Sequence, residues 1–482
     1  MRRREARRLV GAVAGAVIVG ACGRADGALT RTATQGARPL VVRHATVLDT
    51  RTATTLPDRA IVMRGERILQ VVPDSALDSL RSLRDAEVID ARGRLVVPGL
   101  IDVHHHSAYV FPDSITPGGG AVSKLVMRPD SIAAYRTRWA AAYLPFGVTA
   151  VREVGGDDRY LALMQAWARP SPQAPDFMAT GGAIVSHEDN RVPYTGHAVV
   201  KDSSEAAALV RRYHAAGLRD IKLYWRLREP EYVGAFVEAR RLGMHVTTHI
   251  DFGVMPIRRA LALGVRHFEH AYTLGTQVMS GDEVQRAWAR TREELGADPP
   301  AGFYWGVLEH FNMLGPSDRR VEALIDELAR TGATVTPTLH IFAQRAGVAP
   351  YTTKSLGAFD HSEAWTPVQR ARARLGYDVL AGYVRRMHEA GIPLAVGTDW
   401  LDPGRAVLSE MILLNRAGIP MANVLAIATL GGARVLERES DYGAIEPGRK
   451  AQLVIFDRNP LDDAEAVLAG KTVVKDGAVV RD

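Results

Sequence analysis

The stretch Gly99–Tyr109, GLIDVHHHSAY, places three consecutive histidines just behind an aspartate. In a strand alternate side chains share a face, so His104 and His106 point one way and His105 the other. Two imidazoles at i and i+2 at a strand's end can grip one divalent cation. Asp102 lies on their face one step deeper, where a carboxylate would orient a ligand. His105 is expected to face away and to tolerate substitution. Taken alone, an HxH pair describes a core or surface pair of histidines equally well, so the chemistry rests on what joins it.

Four more residues of ligand type close short apolar runs. His249 ends HVTTHI, His270 ends VRHFEH, Asp399 ends LAVGTD and Lys222 lies near the end of DIKL. Four histidines and a carboxylate suit zinc or a similar ion, though the same set accepts cobalt, manganese or iron. Lys222 is the odd member, because an ammonium has no lone pair and is repelled by a metal. Converted by CO2 to a carbamate, it becomes an anion with two oxygens that can bridge two metals. Its commoner fate is an ion pair with a carboxylate at a strand end.

Such residues meet only if their strands surround one opening. From about Gly99 one unit recurs: a helical stretch, a glycine, a short apolar strand, then polar residues. It appears as LPFGVTAVREVGG, HAAGLRDIKLYW, ARRLGMHVTTHI, ALALGVRHFEH, ARTGATVTPTLH and HEAGIPLAVGTDW. The glycines suit the left-handed turn after a helix, and Asp202 with Glu205 makes a capping-box-like start. Alternating strands and helices argue an α/β fold, a (β/α)8 TIM barrel over residues 99–437, whose chemistry gathers at the C-terminal strand ends. Segments 38–98 and 438–482 have β texture and are expected to pair into a small β-sandwich domain. The stretches 115–130 and 279–319 exceed ordinary loops; connections of that length often cover a site.

The chain's 482 residues exceed one small core, and 47% apolar with 24% charged residues is an ordinary globular composition. Its start differs. MRRREARR is basic, and Leu9–Ala21 is an apolar run too short to cross a bilayer, so residues 1–21 have the layout of an export signal. VGAC resembles the lipobox of bacterial lipoproteins, which makes Cys22 the expected lipid anchor and 23–37 a linker; Arg7 and Arg8 keep a twin-arginine route open. Residues 1–21 carry a net +4 of the chain's +6, leaving +2, so nucleic acid is not an expected partner. With Cys22 the only cysteine, no internal disulfide forms. The expected protein is exported, sits in the periplasm or cell envelope, and meets the membrane only through its lipid; homo-oligomerisation is left open.

These motifs together resemble the amidohydrolase superfamily. PGLIDVHHH is similar to its first-strand signature, IKLYW to its carboxylated-lysine strand, HVTTHI and FEH to its fifth and sixth strands, and GTDW to its eighth. ATLGGARVLERESDYGAIEPGRKAQLVIFD resembles its C-terminal return, with Gln452 where an acid is usual. The likeness is greatest to the imidazolonepropionase-related branch, especially its prolidase-like dipeptidases. Imidazolonepropionase itself is mononuclear and lacks the bridging lysine, so Lys222 argues against that activity. The resemblance implies that His104, His106 and Asp399 bind one metal, that His249 and His270 bind a second, and that carboxylated Lys222 bridges them. It implies amide hydrolysis by metal-activated water, whose pKa falls from ~15.7 to about 7, with Asp399 moving the proton to the leaving nitrogen.

Other residues carry weaker expectations. Tyr224, on the face of Lys222, and His197 in YTGHAVV are expected to contact substrate or its carbonyl oxygen. His340 would line the pocket and Arg226 would meet a substrate carboxylate, unless the one packs in the wall and the other is an ordinary loop arginine. Arg152 and Glu153 read as a structural ion pair and Glu410 as support. The expected substrate is a small-molecule amide, a dipeptide or N-acyl amino acid. The alternatives are a cyclic amide, a carbamate or an N-acylated toxin or drug, and, from another class, a non-catalytic periplasmic binding protein.

Overall fold

The computed structural model describes residues 38–480, apart from 80–84, 112–113, 116–120, 123–124, 157, 190–195, 251–253, 297–301 and 352–364. The export signal, the linker, Cys22 and much of the 115–130 stretch therefore lie outside the described residues. Among the described residues no helix is long and apolar enough to cross a membrane.

The chain has a (β/α)8 TIM-barrel-type α/β fold. Parallel pairing joins Leu100–His105 to Val148–Glu153 and that strand to Asp176–Ala179. A second run pairs Ala183–Ser186 with Asp220–Leu223, His245–Thr248, His267–Glu269 and Thr334–Thr336 in order. The third strand thus serves both runs, broken at residues 180–182. Gly181 takes φ +75° there, and a Cβ on it would fall 2.7 Å from the Tyr213 ring, so the kink needs glycine. The segment 393–398 comes next: Ala395 N–H donates to Val335 O at 3.2 Å, Val103 N–H to Val396 O at 3.0 Å and Thr398 N–H to His104 O at 3.0 Å. These bonds set the last strand beside the first.

The helices form for legible reasons. In Arg319–Thr331 the buried positions Val321, Leu324, Ile325 and Leu328 follow the i, i+3, i+4, i+7 stripe; Asp318 caps its start and Gly332 at φ +70° ends it. Asp202 accepts from Glu205 N–H at 2.9 Å, while Glu205 returns to Lys201 N–H at 2.8 Å, one residue before the cap. The expected long connection 279–319 contains two helices, Gly281–Leu295 and Gly302–Leu314; the first opens with a full capping box of Ser280 and Glu283.

Both ends of the described chain enter one eight-stranded sheet, in which Leu453–Phe456 runs antiparallel to Leu95–Pro98. Leu40, Val42, Ile61, Leu453 and Ile455 are among the residues of its own apolar cluster. It is clamped to the barrel through Asp176, which accepts from Tyr442 at 2.7 Å, Lys450 at 2.9 Å, Gln452 at 2.9 Å and Lys475 at 3.1 Å. Gln452 also donates to Asp476 at 3.0 Å. An acid at position 452 would set a third carboxylate against these two, which gives the departure from the usual residue a physical reason.

Candidate metal centre

Strand ends far apart in sequence bring their side chains to one place. The Nε2 atoms of His106, His104 and His270 lie 3.3, 3.8 and 3.9 Å from carboxylate oxygens of Asp399. One ligand atom each from His104, His270 and Asp399 falls within 4.8 Å of the others. The opposite ring nitrogens are engaged elsewhere. His104 Nδ1 bonds Glu269 at 2.7 Å, and His106 Nδ1 lies 3.5 Å from Glu153. His270 Nδ1 meets Thr338 Oγ1 at 2.9 Å, and that hydroxyl already donates to Pro337 O at 2.8 Å, so the imidazole donates. With Nδ1 protonated on His104 and His270, their Nε2 lone pairs remain for a metal.

The backbone is bent to reach this arrangement. His270, Thr338 and Asp399 stand at successive strand ends with φ +63°, +53° and +48°. Left-handed backbone costs a residue with a Cβ about 1 kcal/mol or more. It is sustained here by ladder bonds such as Asp399 N–H to His104 O at 2.9 Å and His270 N–H to Thr336 O at 2.8 Å.

Burial sets the protonation states. It pulls His104 down to about 4 and His249 to about 3, and it holds His270 well below its ordinary value, so all three are neutral at neutral pH. Burial also opposes charge on His106, but the Glu153 hydrogen bond and the charge of Asp399 outweigh it and raise that group. Lys222 is 1% exposed, and its Nζ has no hydrogen-bond partner among the described residues. Its nearest carboxylate is Glu269 at 3.8 Å. Burial draws it down to about 8 against the pull of Glu269, and a neutral amine is the form that adds CO2. The lone pairs of His104 and His270, the Asp399 carboxylate and a buried amine without a hydrogen-bond partner among the described residues fit a divalent metal centre.

Each expected residue has a place. His249 is buried with its ring 4.5 Å from His270, and its Nε2 meets the Tyr272 hydroxyl at 3.2 Å. Tyr224 stands between His249 and His197, its ring 5.0 Å from each. His340 is fully buried, its Nδ1 bonded to Ser409 at 2.7 Å and its Nε2 without a partner among the described residues. Arg226 meets Glu188 at 3.0 Å through Nε and one terminal nitrogen, while its other terminal nitrogen is buried without a partner among the described residues. Glu410 supports as expected, accepting Leu339 and His340 N–H at 2.9 and 2.8 Å.

Three other expectations need correction. Asp102 does not touch an imidazole. It accepts the backbone N–H groups of His104 and Thr398, both at 3.2 Å, and the Thr398 hydroxyl at 2.7 Å, so it splices the last strand to the first. Arg152 and Glu153 do not pair: Arg152 reaches Asp220 at 3.4 Å and Glu269 at 3.2 Å, while Glu153 serves His106 and Ser107 N–H. Side chains of neighbouring strand residues leave opposite faces, which a sequence adjacency hides. His105 does face away, but it is fully buried, 5.6 Å from the Tyr143 ring and bonded to Thr398 at 3.2 Å.

Glu269 was not anticipated, although it stands in FEH beside His270. It is buried against His104, Arg152, Lys222 and Thr247, and the charges of Lys222 and Arg152 with the His104 hydrogen bond hold its carboxyl well below the usual range despite burial. Its signal was the alternation itself, which turns it from His270 toward the barrel interior.

Known proteins agree with this geometry. The profile of the amidohydrolase family matches residues 95–480. An imidazolonepropionase of Anaeromyxobacter dehalogenans is 26% identical, covering 89% of this chain and 91% of its own length. The crystal structure of a putative prolidase from Bifidobacterium longum superposes with a TM-score of 0.63 at 22% identity, over 92% of this chain and 95% of that one. A prolidase complexed with N-methylphosphonate-L-proline gives a TM-score of 0.63 at 21% identity, over 92% and 99%. A match over most of the chain, on a barrel whose strand ends converge on a metal-ligand cluster, leads to one conclusion: the chain belongs to the amidohydrolase family and is a metal-dependent hydrolase of carbon–nitrogen bonds.

Proposed function

We propose that the protein is a binuclear amidohydrolase that cleaves a dipeptide or an N-acyl amino acid. The observation that carries this reading is the convergence of His104, His106 and His270 Nε2 on Asp399, together with a buried Lys222 amine that has Glu269 at 3.8 Å and no hydrogen-bond partner among the described residues. His104, His106 and Asp399 would hold one ion and His249 and His270 the other, with Lys222 as carbamate between them. His249 would exchange its Tyr272 contact for the metal. Zinc suits the donors. Bound metal supplies a water acidic enough to attack at neutral pH and polarises the carbonyl.

The protein's own groups do the rest. Asp399, 19% exposed at its side chain, is the carboxylate placed to take a proton and return it to the departing nitrogen. Tyr224 and His197, ring to ring at 5.0 Å, would donate to the carbonyl oxygen. The likeness to prolidase structures supports a dipeptide over a cyclic amide. The same reading takes 99–437 as the catalytic barrel and 38–98 with 438–482 as a sandwich domain. It takes residues 1–21 as an export signal and Cys22 as the lipid anchor of an envelope protein.

A screen of the metal-loaded protein against dipeptide and N-acyl amino acid libraries tests this function. Turnover of some of these amides, abolished by chelation, is expected. Turnover confined to cyclic amides or carbamates would replace the proposed substrate, and a lack of any turnover would refute the hydrolase reading.

A further inference from the structure

Arg345 is a buried cation for which the metal centre has no use. It lies in the helix His340–Ala346 behind the seventh strand and is 2% exposed. Its guanidinium carbon sits 3.3 Å from the centroid of the Tyr304 ring and 4.4 Å from that of Trp400, the residue after Asp399. One terminal nitrogen donates to Ile341 O at 2.9 Å within its own helix, while Nε is buried without an acceptor. Among the described residues no carboxylate pairs with it. Trp400 adds a second buried donor, an indole N–H that also lacks an acceptor. Buried donors are normally satisfied, and a buried guanidinium is normally paired. Trp400 directly follows the ligand residue Asp399, so the guanidinium stacked on its ring is one residue along the chain from the cluster.

We propose that Arg345, with the Trp400 indole N–H, forms the subsite for a carboxylate on the substrate, so that the favoured amides release an amine bearing a free carboxylate. A carboxylate brings the acceptor oxygens that these donors lack, and the guanidinium fork matches its geometry. The two aromatic faces fix the plane of the fork. Arg226 differs in that its Nε and one terminal nitrogen meet Glu188, whereas no carboxylate pairs with Arg345 among the described residues. The assignment rests on the amide-hydrolase reading and deepens it, since a dipeptide and an N-acyl amino acid share this carboxylate.

The test compares N-acetyl-L-amino acids with their carboxamides, using metal-loaded protein and reading the ratio of kcat/KM values. The wild type should favour the free acids by at least about tenfold. Arg345→Met should bring the ratio close to one, with Arg345→Lys, which keeps charge but loses the fork, in between. Equal rates on acid and amide in the wild type, or an unchanged ratio in Arg345→Met, would overturn the assignment. If Arg345→Met does not fold, the drop in ratio from wild type to Arg345→Lys decides. If neither class of amide is turned over, the hydrolase reading has failed. The subsite is then judged by titrating L-phenylalanine and L-phenylalaninamide into the protein and following tryptophan fluorescence. A saturable response to the acid alone, lost in Arg345→Lys, upholds it, and no response to the acid rejects it.

Discussion

His104 donates its Nδ1 proton to Glu269 across 2.7 Å, binding the first barrel strand to the sixth beneath the ligand cluster. The bond fixes the tautomer and turns Nε2 toward Asp399. It also keeps an anion beside Lys222 and Arg152. Glu269 would therefore act on a bound metal without touching it.

Glu269→Gln keeps the shape and removes the charge. Metal affinity should fall about 10–100-fold, as it does when such orienting carboxylates are lost. Competition with a chelator measures it; unchanged affinity in a folded variant would remove Glu269 from the site's support.

His105→Ala should cost about 2 kcal/mol or more, because it empties a buried position beside Tyr143 and removes the bond to Thr398. Denaturant unfolding gives the stability, and metal content per folded chain should stay at the wild-type level. An unaltered midpoint would show that the aromatic pocket collapses without cost.

The Asp176 clamp predicts a pH dependence. Burial opposes its charge, yet Lys475, Lys450 and the Gln452 hydrogen bond hold its carboxyl below the ordinary 3.8. A depressed carboxyl contributes stability above that value and loses it as pH falls through the folded one. Asp176→Asn should thus cost about 3 kcal/mol or more at neutral pH, with a deficit that shrinks below about pH 3.8. Unfolding curves at several pH values test this; a deficit independent of pH would deny the clamp its charge.

Much of this arrangement was readable beforehand because it follows from local periodicity. The glycine-then-strand repeat located the barrel, and alternation within a strand separated His104 and His106 from His105. Residues whose meaning depends on a neighbouring strand were not readable. Arg152 pairs with Asp220 and Glu269, and Asp102 with Thr398; nothing near either residue names that partner. The 279–319 stretch hides two helices behind its length, although Ser280 and Glu283 form a capping box at the start of the first. Arg226 and Arg345 look alike as sequence; Glu188, across the fold, pairs with the first of them.

Asp399→Asn separates binding from chemistry. The amide can still offer an oxygen to a metal but cannot carry the proton, so kcat should fall at least ~100-fold with most of the metal retained. Retained turnover would exclude Asp399 as the proton carrier.

The central claim is that this cluster is a metal centre with two ions bridged through Lys222. Elemental analysis of the purified, folded protein tests it most directly. The account predicts about two divalent ions per chain, and a folded, active protein free of metal would contradict it.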